Sequence, residues 1–253
     1  MTNSSKLKGD AAEREAAQLI AELTGHPARR KLGAGRAEVA VNAPIVLSLC
    51  DLTGNMVRPW REAGFECWIV DLQHPAGEQY VDDDQMGRLV RVGADITDWL
   101  PPRRDYVACF AFPPCTDLAV SGARWFKDKG IGALIDGLTL VERCRRICEW
   151  TGAPWMLENP VSTISTYWRQ PDYKFDPYEY AGLSGTDEAY TKRTCLWTGG
   201  GFVMPEREPL QPELGSKMHR LPPSPDRANL RSATPNGFAR AVLLANHPTA
   251  RAA

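Results

Sequence analysis

Between residues 44 and 198 the chain alternates short, wholly apolar runs with longer stretches whose apolar positions recur every three or four residues. The runs IVLSLC (45–50), CWIVD (67–71), YVACFAF (106–112), PWMLEN (154–159) and TCLWT (194–198) have the length and texture of buried strands. Val57 to Ala63, Ile131 to Trp150 and Pro235 to Ala245 carry helical patterns. Strands spaced by helices and loops predict an α/β fold of βαβ units, with a mostly parallel sheet covered on both faces. Ligands of such sheets bind beyond the carboxyl ends of the strands, so chemistry is sought just after each apolar run.

The flanks read differently. Residues 10–24, DAAEREAAQLIAELT, predict an amphipathic helix with Leu19, Ile20 and Leu23 on its apolar side, ended by Gly25. A basic, glycine-containing stretch follows from Pro27 to Arg36. Between Gly199 and Pro225 six prolines interrupt any regular element, which predicts a loop-rich insertion. The expected organisation is an N-terminal helix and basic arm (1–43), a core (44–198), a short loop-rich region (199–230) and a C-terminal helix returning to the core (231–253).

At 253 residues the chain suits one principal α/β core with a small appendage. No apolar run approaches the twenty or so residues of a membrane span, and the polar start lacks a secretory apolar region, so a cytoplasmic protein is expected. Seven scattered cysteines, an odd number, fit reduced thiols better than a disulfide framework. Cys144 and Cys148, four apart, read either as half a metal site or as one face of a helix; no histidine stands at ligand spacing from them, and no metal is expected. The net charge of −1 gives no global argument for nucleic-acid binding, which must come from local basic clusters.

Candidate chemistry gathers at the strand ends. The first strand ends in LCDLTGNM (49–56), where Gly54 can let the backbone approach a ligand or can simply form a turn. The second ends in Asp71, placed for the hydroxyls of a ribose, and GADITDW presents Asp95, suited to an adenine amino group. Either carboxylate could instead be a solvated capping residue. The third ends in FPPCTD (112–117), where two prolines fix the backbone around Cys115, as a nucleophile held in one attack geometry requires. A thiolate is strongly nucleophilic even at the few per cent that an unperturbed thiol supplies near neutral pH. Forty-three residues later LENP places Glu158 and Asn159 at another strand end, where a carboxyl group can hold or protonate a ring nitrogen. TKRT, before the fifth strand, offers Arg193 to a base carbonyl or to the thiolate.

In this order LTGNM, Asp71, ADI, FPPCT, LENP, TKRT and TPNGFARAV resemble the motifs of DNA cytosine-5 methyltransferases, over roughly residues 45–246. The resemblance implies a Rossmann-like fold that binds S-adenosylmethionine, with a short target-recognition insertion. It places Leu52, Thr53, Gly54, Asn55, Met56, Asp71, Leu72, Asp95, Ile96 and Pro113 around the cofactor, with Asn236 and Gly237 as the far wall. Cys115 would add to carbon 6 of a flipped cytosine, Glu158 would contact ring nitrogen 3, and Arg193 would bind near the oxygen on carbon 2. Thr116, Ser121, Arg124 and Lys192 would approach DNA, joined by Lys217, His219, Arg220, Arg227 and Arg231, which read equally as a solvated rim. The expected partner is cytosine-containing DNA, bound by a monomer.

Departures accompany the resemblance. TGNM replaces a more glycine-rich turn, Pro160 stands where valine is common, Thr191 where glutamine is usual, and Cys195 where a second arginine is common. The short insertion implies a brief recognition sequence or loose specificity. The altered turn leaves open a modified donor such as carboxy-S-adenosylmethionine. Other readings are a catalytically weak DNA-binding module, for which Cys115 and Glu158 together would be needless, and a nucleotide-level pyrimidine enzyme, for which the basic rim would be needless. The segment KGDAAEREAAQLIAELTG with RRKLGAGR resembles the opening of phage Holliday-junction resolvase-type nucleases, without the acidic and lysine residues such catalysis needs; it implies a bacteriophage setting.

Overall fold

A computed structural model describes residues 44–83 and 85–251. The expected helix at 10–24 and the basic arm lie outside the described residues. The strands are β1 (Ile45–Leu49), β2 (Glu66–Val70), β3 (Gly77–Asp83), β4 (Met86–Gly93), β5 (Tyr106–Ala111), β6 (Trp155–Pro160), β7 (Tyr173–Phe175) and β8 (Thr194–Gly199). The α-helices are α1 (Arg58–Glu62), α2 (Phe126–Trp150), α3 (Ile164–Tyr167), α4 (Arg227–Ser232), α5 (Asn236–Asn246) and α6 (Pro248–Arg251). The strands form one sheet in the order β3-β4-β2-β1-β5-β6-β8-β7. From β4 to β6 every pair is parallel, while β3 runs against β4, and β8 runs against both β6 and β7. This is the mostly parallel α/β sheet that the apolar runs predict.

Each buried strand divides its side chains between two cores, because alternate residues point to opposite faces. Ile45, Leu47 and Leu49 of β1, Leu157 of β6 and Cys195 and Trp197 of β8 pack with Val141, Cys144, Ile147 and Cys148 of α2. Val46, Met156 and Leu196 face the other way, against Trp60 of α1 and Phe238, Val242 and Leu243 of α5. Both faces are covered, which is why these strands are apolar throughout. Within α2 the backbone leaves helical geometry at Gly130 (φ 74°), so the regular helix starts at the expected Ile131.

The sequence reading left out β3, β4 and β7. Strand β3 is an exposed edge with the polar sequence GEQYVDD, so it carries no apolar signal. In β4, Arg88 and Arg91 interrupt an otherwise apolar run, and β7 has only three residues. Residues 200–216 contain no helix or strand, as the prolines predict. They nevertheless run alongside the 178–191 segment, held by backbone hydrogen bonds such as Glu208 to Glu179 and Thr191 to Gly215, 2.9 and 2.8 Å.

Strand order reverses between β1 and β5: the chain builds outward from β1 through β2 to β4, then returns to the far side of β1. The crevice at the carboxyl ends of β1 and β5 is therefore the topological switch point, where such sheets bind ligands.

Candidate active site

Four strand ends meet at this crevice. After β1 the chain turns through Asp51, a buried carboxylate that accepts hydrogen bonds from Ser48 Oγ (2.7 Å), Thr53 N (3.1 Å), Thr53 Oγ1 (3.3 Å) and Gly54 N (2.8 Å). Burial raises the Asp51 carboxyl above its ordinary value against these four donors. Gly54 takes φ +68°, a conformation in which a side chain is strained. The turn's first N–H groups point into the protein, toward Asp51. That arrangement does not suit a phosphate, which would need those donors turned outward. Sequence reading passed over Asp51, although it stands inside the quoted LCDLTGNM.

Leu52 is half-buried and Thr53 exposed beside this turn. The Asn55 side-chain amide donates to the Thr234 carbonyl at 3.3 Å, joining the turn to the chain ahead of α5. Met56 is not a lining residue: its side chain is fully buried in the core with Val57 and Trp60. Asp71, after β2, accepts from Gln73 N at 2.8 Å through Oδ1; among the described residues Oδ2 has no hydrogen bond. Beside it Leu72 is 72% exposed, a large apolar side chain without protein cover. Asp95, after β4, is exposed and lowered in pKa by hydrogen bonds from Thr97 N and Oγ1. Ile96 is buried in the core on the α2 side and lines no surface.

The far wall is filled otherwise than the resemblance implies. The carboxylate of Glu188 accepts from Asn236 N (2.6 Å), Asn236 Nδ2 (3.0 Å) and Gly237 N (2.8 Å). These donors are the orphan N–H groups at the start of α5, and an acidic side chain there satisfies them and suits the helix dipole. Gly237 has a packing reason of its own, since a Cβ would lie 2.2 Å from the Tyr180 carbonyl oxygen. Asn236 and Gly237 thus cap and seat α5, with their donors engaged by Glu188.

The nucleophile loop is firmly built. Pro113 is buried, and its carbonyl accepts from the Asn159 side-chain amide at 3.0 Å. Cys115, half-buried, offers its carbonyl to the N–H groups of Leu118 (3.1 Å) and Ala119 (2.8 Å). Farther along, Val120 N bonds to Val161 O and Thr163 N to Leu118 O, both 3.0 Å, so the loop is laced to the chain leaving β6. Burial raises the Cys115 thiol, the nearby Glu158 carboxylate raises it further, and Lys192 and Arg231 draw it down. Burial also raises the Glu158 carboxyl, against the pull of Lys192, which draws it down. Its Oε1 is wholly inaccessible and has no hydrogen-bond partner. Cys115 and Glu158, from different strands, therefore sit within each other's electrostatic reach.

Glu158 opens into a narrow pocket with a cavity volume of about 10 Å³, lined by Phe112, Phe175, Lys192, Thr194, Ser232, Thr234, Pro235 and Phe238. Arg193 is absent from it. In the β6–β8 register Glu158 stands opposite Leu196 and Asn159 opposite Cys195. Alternation then puts Lys192 and Thr194 on the Glu158 side and Arg193 on the other. Arg193 is indeed exposed and pairs with the buried Asp176 at 3.2 Å. The cation that lines this pocket is Lys192, which the resemblance assigns to DNA, and not Arg193, to which it assigns the base.

The remaining expected DNA contacts are dispersed. Thr116 and Ser121 are exposed beyond Cys115, and Arg124 lies over the Trp125 ring at 5.1 Å. Lys217 reaches Asp187 O at 2.9 Å, Arg220 donates to Leu214 O, and Arg227 to Leu221 O at 2.8 Å. Carbonyl partners leave the charges of Lys217 and Arg220 uncancelled by a carboxylate. His219 lies in a short 3₁₀ turn with Lys217. Arg231 lies on α4 within electrostatic reach of Cys115. On the same helix Asn229 contacts Gln73 beyond β2 at 3.2 Å, so α4 spans the crevice.

No known protein-family model and no curated protein sequence matches the chain.

Proposed function

We propose that the protein is an S-adenosylmethionine-dependent DNA cytosine-5 methyltransferase with Cys115 as its covalent nucleophile. The observation that supports this reading is that Cys115, in the loop after β5, stands within electrostatic reach of Glu158, which lines a pocket together with Phe112 from the start of the same loop.

The cofactor residues fit in part. Asp71, with one free carboxylate oxygen, Asp95 and the uncovered Leu72 suit a ribose, an adenine amino group and an adenine face. A turn whose donors are committed to Asp51 disfavours a dinucleotide, whose pyrophosphate needs them, and is compatible with a cationic donor. Bound S-adenosylmethionine would supply an electrophilic methyl group carried on a sulfonium.

The chain's own residues would act on the pyrimidine. The Cys115 thiolate forms a bond to carbon 6 of an extruded cytosine and pushes an electron pair toward carbon 5. The raised Glu158 carboxyl keeps its proton to higher pH, so it can donate at ring nitrogen 3 and favour that shift. Once carbon 5 is substituted it loses its proton to water, the sulfur–carbon bond breaks, and the thiol is restored. Asn159 holds the Pro113 carbonyl and with it the approach of the thiol.

Incubation with methyl-labelled S-adenosylmethionine and duplex DNA, followed by digestion to nucleosides, should place label in 5-methylcytosine. Label in another nucleoside, or in none, refutes the reading.

A further inference from the structure

Four thiols lie in the seam between the sheet and α2. Cys144 and Cys148, one turn apart on that helix, meet Cys50, just after β1, and Cys109 in β5. The sulfur atoms of Cys50 and Cys144 are 3.8 Å apart, and those of Cys109 and Cys148 3.3 Å. Each pair joins elements distant in the chain, by 94 and 39 residues. Among the described residues no three such groups are placed to share a metal ion.

Access separates the two pairs. Cys109, Cys144 and Cys148 are wholly buried, whereas Cys50 is half-buried. A hydrogen bond with Cys50, together with burial, holds Cys144 as a thiol; burial and a hydrogen bond with Cys109 do the same for Cys148. Cys50 is also the one non-glycine residue with a positive φ, 54°, among the described residues. That backbone conformation is costly for a residue with a side chain. It is adopted here by the residue whose sulfur meets Cys144 and whose neighbour Asp51 organises the turn after β1.

We propose that Cys50 and Cys144 form a site of reversible oxidation, at which hydrogen peroxide converts the two thiols to a disulfide that ties this turn to α2. The Cys50 sulfur attacks one peroxide oxygen and the O–O bond breaks, leaving a sulfenic acid and one water. The Cys144 sulfur then attacks the Cys50 sulfur, the S–O bond breaks, and the hydroxyl departs as water with the Cys144 proton. The two thiols lose two electrons in all, and one peroxide becomes two waters. Closing the pair from 3.8 Å to the roughly 2.05 Å of a disulfide asks about 1.8 Å of movement, shared between two side chains. Cys109 and Cys148 are closer together, but neither is exposed to an oxidant, so they stay reduced. Nothing in this chemistry depends on the function proposed above.

The test treats the full-length protein with hydrogen peroxide, blocks the remaining thiols with iodoacetamide under denaturing conditions, and maps unreduced peptides by mass spectrometry. A peptide pair joining Cys50 to Cys144 is expected, about 2 Da lighter than the two thiol peptides together, and dithiothreitol should separate it. Closing so long a loop should also raise Tm by roughly 10 °C. Cys50→Gly suits the left-handed backbone and lacks the thiol, so it should abolish both the link and the rise. Cys109→Ala should abolish neither. Circular dichroism identifies any variant that has not folded; Cys50→Ala then substitutes for Cys50→Gly, and Cys109→Ser for Cys109→Ala. Recovery of Cys50 and Cys144 as separate alkylated thiols overturns the assignment, as does passage of Cys50 to sulfinic acid without a link. A link that joins Cys109 to Cys148 or engages Cys115 instead overturns it too. So does a linked protein that melts below the reduced one, since the bond would then form only in a distorted chain.

Discussion

Asn159 donates its side-chain amide to the Pro113 carbonyl across 3.0 Å, fastening the end of β6 to the loop that carries Cys115. The amide is buried, with Asn159 only 1% exposed, so water cannot replace it. Asn159→Ala should lower stability by about 2 kcal/mol, because the Pro113 carbonyl loses its partner. Urea titration measures the stability. If the bond positions the nucleophile, turnover should fall further than the folded fraction does; a loss that merely tracks unfolding would argue against that role.

Replacing Glu188 tests whether the start of α5 is a capped helix end or a ligand wall. Glu188→Ala should cost about 1 kcal/mol, a fall in Tm of about 3 °C. Affinity for S-adenosylmethionine, measured by calorimetry at a temperature where the variant is folded, should be unchanged. A large change in affinity with no change in Tm would return Asn236 and Gly237 to the cofactor site.

Gly237→Ala should destabilise more than that, by roughly 2 kcal/mol, since the added methyl meets a backbone carbonyl that cannot rotate away. Thermal melts of the two variants rank the effects.

Glu158 sets a pH dependence of known sign. Burial raises its folded-state pKa, so the folded protein holds this proton more tightly than the unfolded chain does. Its contribution to stability is greatest below the ordinary glutamate value and declines as pH rises from that value through the folded one. Glu158→Gln removes the decline, so its Tm should exceed the native Tm at pH 8 and converge on it near pH 4. Losing a negative neighbour should also move Cys115 alkylation to lower pH, while abolishing methyl transfer. A variant less stable than the native protein at pH 8 would contradict the assignment of Glu158 as a buried acid whose Oε1 lacks a hydrogen bond.

Cys115→Ser should retain donor binding and lose methyl transfer. Native protein given DNA with 5-fluorocytosine should form a covalent adduct that the serine variant does not, because fluorine blocks the final elimination. Adduct formation by the serine variant would show that another group attacks the ring.

Most of the sheet was legible because five strands are buried on both faces and therefore written as continuous apolar runs. The β3–β4 hairpin was not, since an exposed edge such as GEQYVDD is built from the same residues as a loop. Cys115 and Glu158 could be found from their strand-end positions. Which of Lys192 and Arg193 enters the pocket could not, because TKRT precedes the strand and carries no apolar alternation to fix its parity. Gly237 was singled out for a ligand; its close approach to the Tyr180 carbonyl, between residues 57 apart, is one that no local pattern announces. Glu188 as a cap is equally remote, 48 residues from Asn236.

The antiparallel seam between β6 and β8 has a consequence for how such a site could change over time. Because neighbouring side chains leave the strand in opposite directions, lengthening the approach to β8 by one residue between Arg193 and Thr194 would carry a guanidinium to the place of the ammonium without any substitution at the pocket itself. An insertion in the TKRT segment is thus a second route, beside the single substitution Lys192→Arg, between lysine-lined and arginine-lined versions of this pocket.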